Sequence, residues 1–143
     1  MKELTVEAKV DNAGLAAEFV NAELEAMDCP LKAQIQIDIA VDEIFSNVAY
    51  YAYAPETGPI TIRVERRDDP PTVSLTFSDR GKPYDPLQAA DPDVTLDAED
   101  RKIGGLGIFL VKKTMDAVRY ERRDGQNVLR IEKRLEQTAR LPD

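Results

Sequence analysis

Hydrophobic and polar residues alternate at the start of the chain. Leu4, Val6, Ala8 and Val10 are interleaved with Thr5, Glu7 and Lys9, the period-two pattern of a half-buried strand. The period then becomes helical, with Leu15, Phe19, Val20 and Leu24 on one face behind Asp11 or Asn12, either of which suits an N-cap. Pro30 opens a longer helix predicted to run to about Tyr53, where Pro55 and Gly58 stop it. "ITIRVERR" and "TVSLTF" alternate again, and the "DDPP" between them predicts a β-hairpin. From Asp79 to about Gly105 there is no period, and such long irregular segments in small domains are usually functional. "GLGIFLVKKTMDAV" reads as a third helix. "VRYERR" and "NVLRIEKRL", around "DGQ", read as a closing hairpin.

The order β-α-α-β-β-loop-α-β-β, without regular βαβ alternation, predicts an α+β fold. Its form is a two-layer sandwich with a mixed, mostly antiparallel sheet and helices on one face. A length of 143 residues suits one domain, placed at 1–136, with 137–143 as a frayed tail. The net charge of −8, with no basic run, argues against duplex nucleic acid or an anionic membrane as direct partner. No apolar run approaches the roughly 20 residues of a membrane span, and "MKELTVEAKV" alternates rather than forming a signal-peptide core. A cytoplasmic location is therefore expected. The chain has no His, which removes His-based triads, His-ligated metals and phosphohistidine chemistry. Its one cysteine, Cys29, has no His to activate it.

Three places carry candidate chemistry. On a wheel of the second helix, Ile37, Val41, Ile44, Val48, Tyr51 and Ala52 form a core arc. Glu43 and Asn47 sit at its edge, four residues apart and pointing the same way. They are either a boundary pair satisfied by nearby backbone or a half-sheltered site for a ligand or metal. The second place is "FSDRGKPYDP". Asp79 emerges at a strand end, where it could accept a hydrogen bond from an exocyclic amine such as that of adenine. Gly81 permits positive φ or a close approach, and Pro83 stiffens the exit; a plain strand-ending turn is the alternative. The third is "GGLGIFLVKK", with glycines at 104, 105 and 107 before a helix whose N-terminus favours an anion. It is either an anion site or a loop docking onto a helix. Gly105-Leu106-Gly107 does not continue as GxGxxG, and GxxxxGK[ST] occurs nowhere, so neither Rossmann nor P-loop chemistry is present.

The succession "DEIFSNVAYYAY", "DRGKP", a loop and "GGLGIFLVKKTMD" resembles the three boxes of the gyrase, chaperone, histidine-kinase and mismatch-repair (GHKL) ATPases. The similarity extends over roughly Leu4 to Leu135. Within that superfamily the chain is similar to the small, single-domain anti-sigma-factor serine/threonine protein kinases. The resemblance implies the Bergerat-type sandwich, with ATP and Mg²⁺ as cofactors. It gives Asn47 the Mg²⁺ that bridges the phosphates, Glu43 the role of general base toward a substrate serine, and Asp79 the adenine amino group. Gly81 and Pro83 shape the adenine turn, and Gly104, Gly105, Leu106 and Gly107 close over the phosphates. Relatives often carry Thr in the last hairpin, where this chain has "DGQNVL"; Asn127 or Gln126 is the substitute. Arg101 and Lys102 are the candidates for a basic lid contact to phosphate, Arg101 preferred for its fork. Five acidic residues between Pro86 and Ile103 sit oddly beside a triphosphate.

The function so implied is an ATP-dependent protein serine kinase that phosphorylates an anti-sigma-factor antagonist. A sigma factor would be its second, mutually exclusive partner, and a homodimer its assembly. The rival reading is a non-catalytic, ATP-sensing module that sequesters a regulatory protein.

Overall fold

The computed structural model describes residues 1–88 and 105–135, without the side chains of residues 105 and 106. Within these residues the strands and helices follow the expected order. They are β1 (Lys2–Glu7), α1 (Ala13–Ala26), α2 (Leu31–Asn47), β2 (Pro59–Arg67), β3 (Thr72–Asp79), α3 (Gly105–Thr114), β4 (Ala117–Arg123) and β5 (Gln126–Arg134). The five strands form one sheet in the order β1-β2-β3-β5-β4, and every described pairing is antiparallel rather than mixed. The expected tail, 137–143, lies outside the described residues. No helix among the described residues is long and apolar enough to cross a membrane.

Strand register builds the inner face of the sheet in rows. Val64 pairs with Leu75 and Leu75 with Ile131; Ile62 pairs with Phe77 and Phe77 with Leu129. These six are buried against Val41, Ile44 and Phe45 of α2 and Val20 and Leu24 of α1. Each such side chain contributes about 1.5–3 kcal/mol on leaving water, so the rows fix the register strongly. The next row is Ile60, Asp79 and Asn127, on the same inward-facing parity. Alternation thus carries two polar residues into the sheltered side of the sheet, where each needs a partner.

Several boundaries differ from the sequence reading. β1 ends at Glu7, and Val10 lies in a single 3₁₀ turn, 52% exposed. Asn12 stands at the N-cap of α1 but does not cap it; its Nδ2 donates to the Glu7 carbonyl instead, 2.9 Å away. Leu15 is exposed and Ala16 takes the buried position. α3 ends at Thr114, and Ala117 and Val118 open β4. The closing hairpin turns through Asp124 and Gly125 at φ 52° and 76°, the pair of positive values a two-residue type I′ turn needs.

The end of α2 matters most for the site. The helical path continues beyond Asn47, as expected, but as a wider π-turn over Val48–Ala52. The wider turn changes the phase of the helix wheel. Tyr51, assigned to the core arc by a constant 3.6-residue period, turns outward and is 43% exposed.

Candidate nucleotide-binding site

Asp79 is 6% exposed at the end of the central strand β3. Its Oδ1 accepts from the Gly81 N–H at 2.8 Å and from Asn127 Nδ2 at 2.9 Å. No hydrogen bond to Oδ2 is formed among the described residues, so one oxygen is held and the other is free for a donor.

The turn after Asp79 is held from two sides. From the end of α2, the Ala52 carbonyl accepts the Lys82 N–H at 2.8 Å, the Tyr53 hydroxyl accepts the Arg80 N–H at 2.8 Å, and the Ala54 carbonyl accepts Lys82 Nζ at 3.0 Å. Carbonyls at a helix end lack intrahelical partners, and here the turn supplies one. From the β4–β5 hairpin, Arg122 Nη1 donates to the Gly81 carbonyl at 2.8 Å and Asn127 Nδ2 donates to the Lys82 carbonyl at 2.8 Å. Gly81 is needed for proximity rather than for positive φ, which it does not adopt. A Cβ there would overlap the Ala52 carbonyl oxygen. Pro83 is exposed on the far side of this turn, whereas Tyr84 and Pro86 line the cleft.

That cleft is bounded by Ile44, Asn47, Ala52, Asp79, Tyr120 and Asn127, among others, with a cavity volume of about 30 Å³. Asn47 enters it from α2, and its Nδ2 is buried without a hydrogen-bond partner, alone in this among the described side-chain polar atoms. A buried amide left unpaired costs free energy that backbone neighbours normally remove. The boundary-pair reading expects neighbouring backbone to satisfy Asn47, whereas its Nδ2 has no such partner, and an orphaned donor facing a cleft suits a ligand with an acceptor.

Glu43 lies one turn earlier, half-buried, at the joint between α2 and α3. A Cβ added to Gly107 would fall on the Glu43 carboxyl, so Gly107 leaves the space that this carboxylate fills. Burial, and secondarily the Asp42 charge, push its pKa above the usual Glu range. Lys113 is set over the Phe109 ring, 5.4 Å from its centroid, and takes no part in the cleft. Gly105 opens α3. Arg101, Lys102 and Gly104 lie outside the described residues, as does the side chain of Leu106.

Asn127 and Gln126 separate by strand parity. Asn127 is inward and buried, and Gln126 faces the opposite side of the sheet in a groove with Arg63 and Ser78. Sequence reasoning missed Ala52, Tyr53, Tyr84, Tyr120 and Arg122. The available signal was register: Tyr120 opposes Leu129 and Arg122 opposes Asn127 across the last hairpin.

This sandwich, with a mostly apolar cleft that carries a few polar groups between the end of a helix and the end of the central strand, is that of a small-molecule-binding domain. The chain belongs to the histidine kinase-like ATPase domain family, which it matches over residues 6–133. Among its relatives is the serine/threonine-protein kinase BtrW of Bordetella bronchiseptica. The two are 33% identical over 100 residues, 70% of this chain and 70% of that one. The serine-protein kinase RsbW of Listeria monocytogenes is 34% identical over 113 residues, 73% of this chain and 71% of that one. RsbW of Oceanobacillus iheyensis is 25% identical over 137 residues, 89% and 82% of the two chains. The crystal structure of the RsbU and RsbW domains of a Mycobacterium tuberculosis protein superposes with a TM-score of 0.67 over the whole of this chain. At 15% identity, and with this chain spanning 35% of that longer one, the likeness is one of fold.

Proposed function

We propose that this protein is an ATP-dependent protein serine kinase of the anti-sigma-factor type, acting on a serine of a small antagonist protein. The observation that carries the reading is the convergence of three groups on one cleft and its rim. Asp79 offers a free carboxylate oxygen, Asn47 carries an unpaired buried Nδ2, and the half-buried Glu43 carboxyl sits one turn away.

Asp79 Oδ2 accepts the adenine amino group, and Gly81 allows the base to lie close to the backbone. Among the described residues no cluster of acidic, His or Cys side chains could hold a metal by itself. Asn47 would hold a Mg²⁺ through its Oδ1, and the ion would supply charge neutralisation of the phosphates. Gly105, Leu106 and Gly107 open α3 and would offer backbone N–H groups to the phosphates; Gly104, Arg101 and Lys102, assigned to the same task by resemblance, lie outside the described residues. Glu43 takes the proton of the serine hydroxyl as its oxygen bonds the γ-phosphorus and the bond to the ADP oxygen breaks. A raised pKa makes it the stronger base while it remains ionised.

The partners are the serine-bearing antagonist and, in a separate complex, a sigma factor; the kinase works as a cytoplasmic homodimer. The non-catalytic reading, ATP sensing with sequestration, predicts nucleotide binding that survives without any transfer. Calorimetry with ATP and GTP, each with and without Mg²⁺, tests the site. Tight, Mg²⁺-dependent, adenine-selective binding is expected. Binding of neither nucleotide refutes it, and binding with no phosphoryl transfer to a cognate antagonist selects the sequestering module.

A further inference from the structure

We propose that Asn127 is a positioning residue rather than an adenine ligand, holding Asp79 and the Lys82–Tyr84 segment in one arrangement with the help of Tyr120. The inference rests on the ATP-binding reading of the cleft and concerns how the base is selected.

A carboxamide has two N–H donors and an oxygen with two lone pairs. All four positions of Asn127 are taken by protein groups. Nδ2 donates to Asp79 Oδ1 at 2.9 Å and to the Lys82 carbonyl at 2.8 Å. Oδ1 accepts from the Tyr84 N–H at 3.2 Å and from the Tyr120 hydroxyl at 2.5 Å. The orientation of the amide is fixed by its neighbours: a carboxylate and a carbonyl can only accept, and a backbone N–H can only donate. At 6% exposed, and with no free donor or acceptor, Asn127 has nothing to offer a purine.

Its effect on the base is indirect. Asn127 and Asp79 are register partners across β3 and β5, so the amide meets the carboxylate from the side. By occupying Oδ1 together with the Gly81 N–H, it leaves Oδ2 as the acceptor and blocks rotation of the carboxylate. Its other two backbone bonds bracket Pro83, tying Tyr84 at the cleft mouth to the group that reads the base. A Thr at this position could make only part of this set, having one donor and one oxygen.

The test is calorimetry with ATP and with ITP, which carries a carbonyl where adenine has its amino group. Wild type, Asp79→Ala, Asn127→Ala, the double variant and Tyr120→Phe are compared. Wild type prefers ATP. Asn127→Ala weakens ATP about tenfold, the scale of one hydrogen bond to a charged group, and changes ITP by less than about twofold. The double variant binds ATP no more weakly than Asp79→Ala, because the two residues act through one contact. Tyr120→Phe shifts the ATP-to-ITP ratio the same way by a smaller factor, and carries the comparison should Asn127→Ala fail to fold. Equal losses for ATP and ITP, an unchanged ratio, or losses that multiply in the double variant overturn the proposal. Wild type that binds neither nucleotide overturns the ATP-site reading itself, a distinguishable result.

Discussion

Replacing Asn47 by Leu should make the nucleotide-free protein more stable and the nucleotide-bound comparison reverse. Leu is close to Asn in shape but carries no donor. In the free protein it removes the one buried side-chain N–H without a partner among the described residues. An unsatisfied buried donor costs about 1–3 kcal/mol, and replacing it with an apolar isostere recovers part of that, about 1–2 kcal/mol. For a chain of this size each kcal/mol moves Tm by roughly 3–4 °C, so the free variant should melt about 3–8 °C above wild type. Saturating Mg·ATP then stabilises wild type by about 2.7 kcal/mol at a hundredfold excess over Kd, and does nothing for a variant that has lost the metal ligand. The two melting curves therefore exchange order on adding Mg·ATP. Thermal unfolding by circular dichroism, with and without nucleotide, reads both halves. A free variant that melts below wild type refutes the orphaned-amide argument, and a variant still stabilised by Mg·ATP refutes the ligand role.

Three other perturbations test neighbouring parts of the site. Gly81→Ala drives a methyl into the Ala52 carbonyl and breaks the Lys82 N–H bond to it; overpacking and the lost bond together should cost about 2–4 kcal/mol in denaturant titration and weaken ATP binding. An unchanged midpoint removes the close-packing account. Glu43→Gln should raise Tm at neutral pH. The wild-type carboxyl is protonated more readily folded than unfolded, so its stabilising contribution is present below the ordinary Glu pKa and lost as pH rises through its raised folded value. The gain should shrink on acidification; a gain independent of pH contradicts the desolvation argument. Tyr53→Phe leaves the Arg80 N–H without its acceptor and the Pro59 carbonyl without its donor, so amide exchange at Arg80 should quicken about tenfold or more. Unaltered exchange there shows that the hydroxyl does not hold the turn.

The fold was legible because period-two and period-3.6 patterns are strong and turn residues separate them. The row Val73, Leu75, Phe77 already pointed Asp79 inward, and the row Asn127, Leu129, Ile131 did the same from the other strand. What periodicity missed came from departures from a constant period and from distant contacts. Tyr51 left the core because the helix widens after Asn47. The Tyr53–Arg80 and Ala52–Lys82 bonds join residues some 27 to 30 positions apart that no local pattern connects. Asn127 was identified as part of the site, but that its amide is filled entirely by protein groups appears only in three dimensions. Gly107 was read as a phosphate cradle, and its clearance for the Glu43 carboxyl was invisible until α2 and α3 were set side by side.

The π-turn at the end of α2 has an engineering consequence. Because the Ala52 carbonyl and Tyr53 hydroxyl bolt that turn to the Asp79–Lys82 segment, the helix that carries Asn47 and the loop that follows Asp79 form one jointed part. If the proposed nucleotide site is right, retargeting it to another base becomes a problem of redesigning a joint, since reshaping that loop also re-aims the helix that carries Asn47.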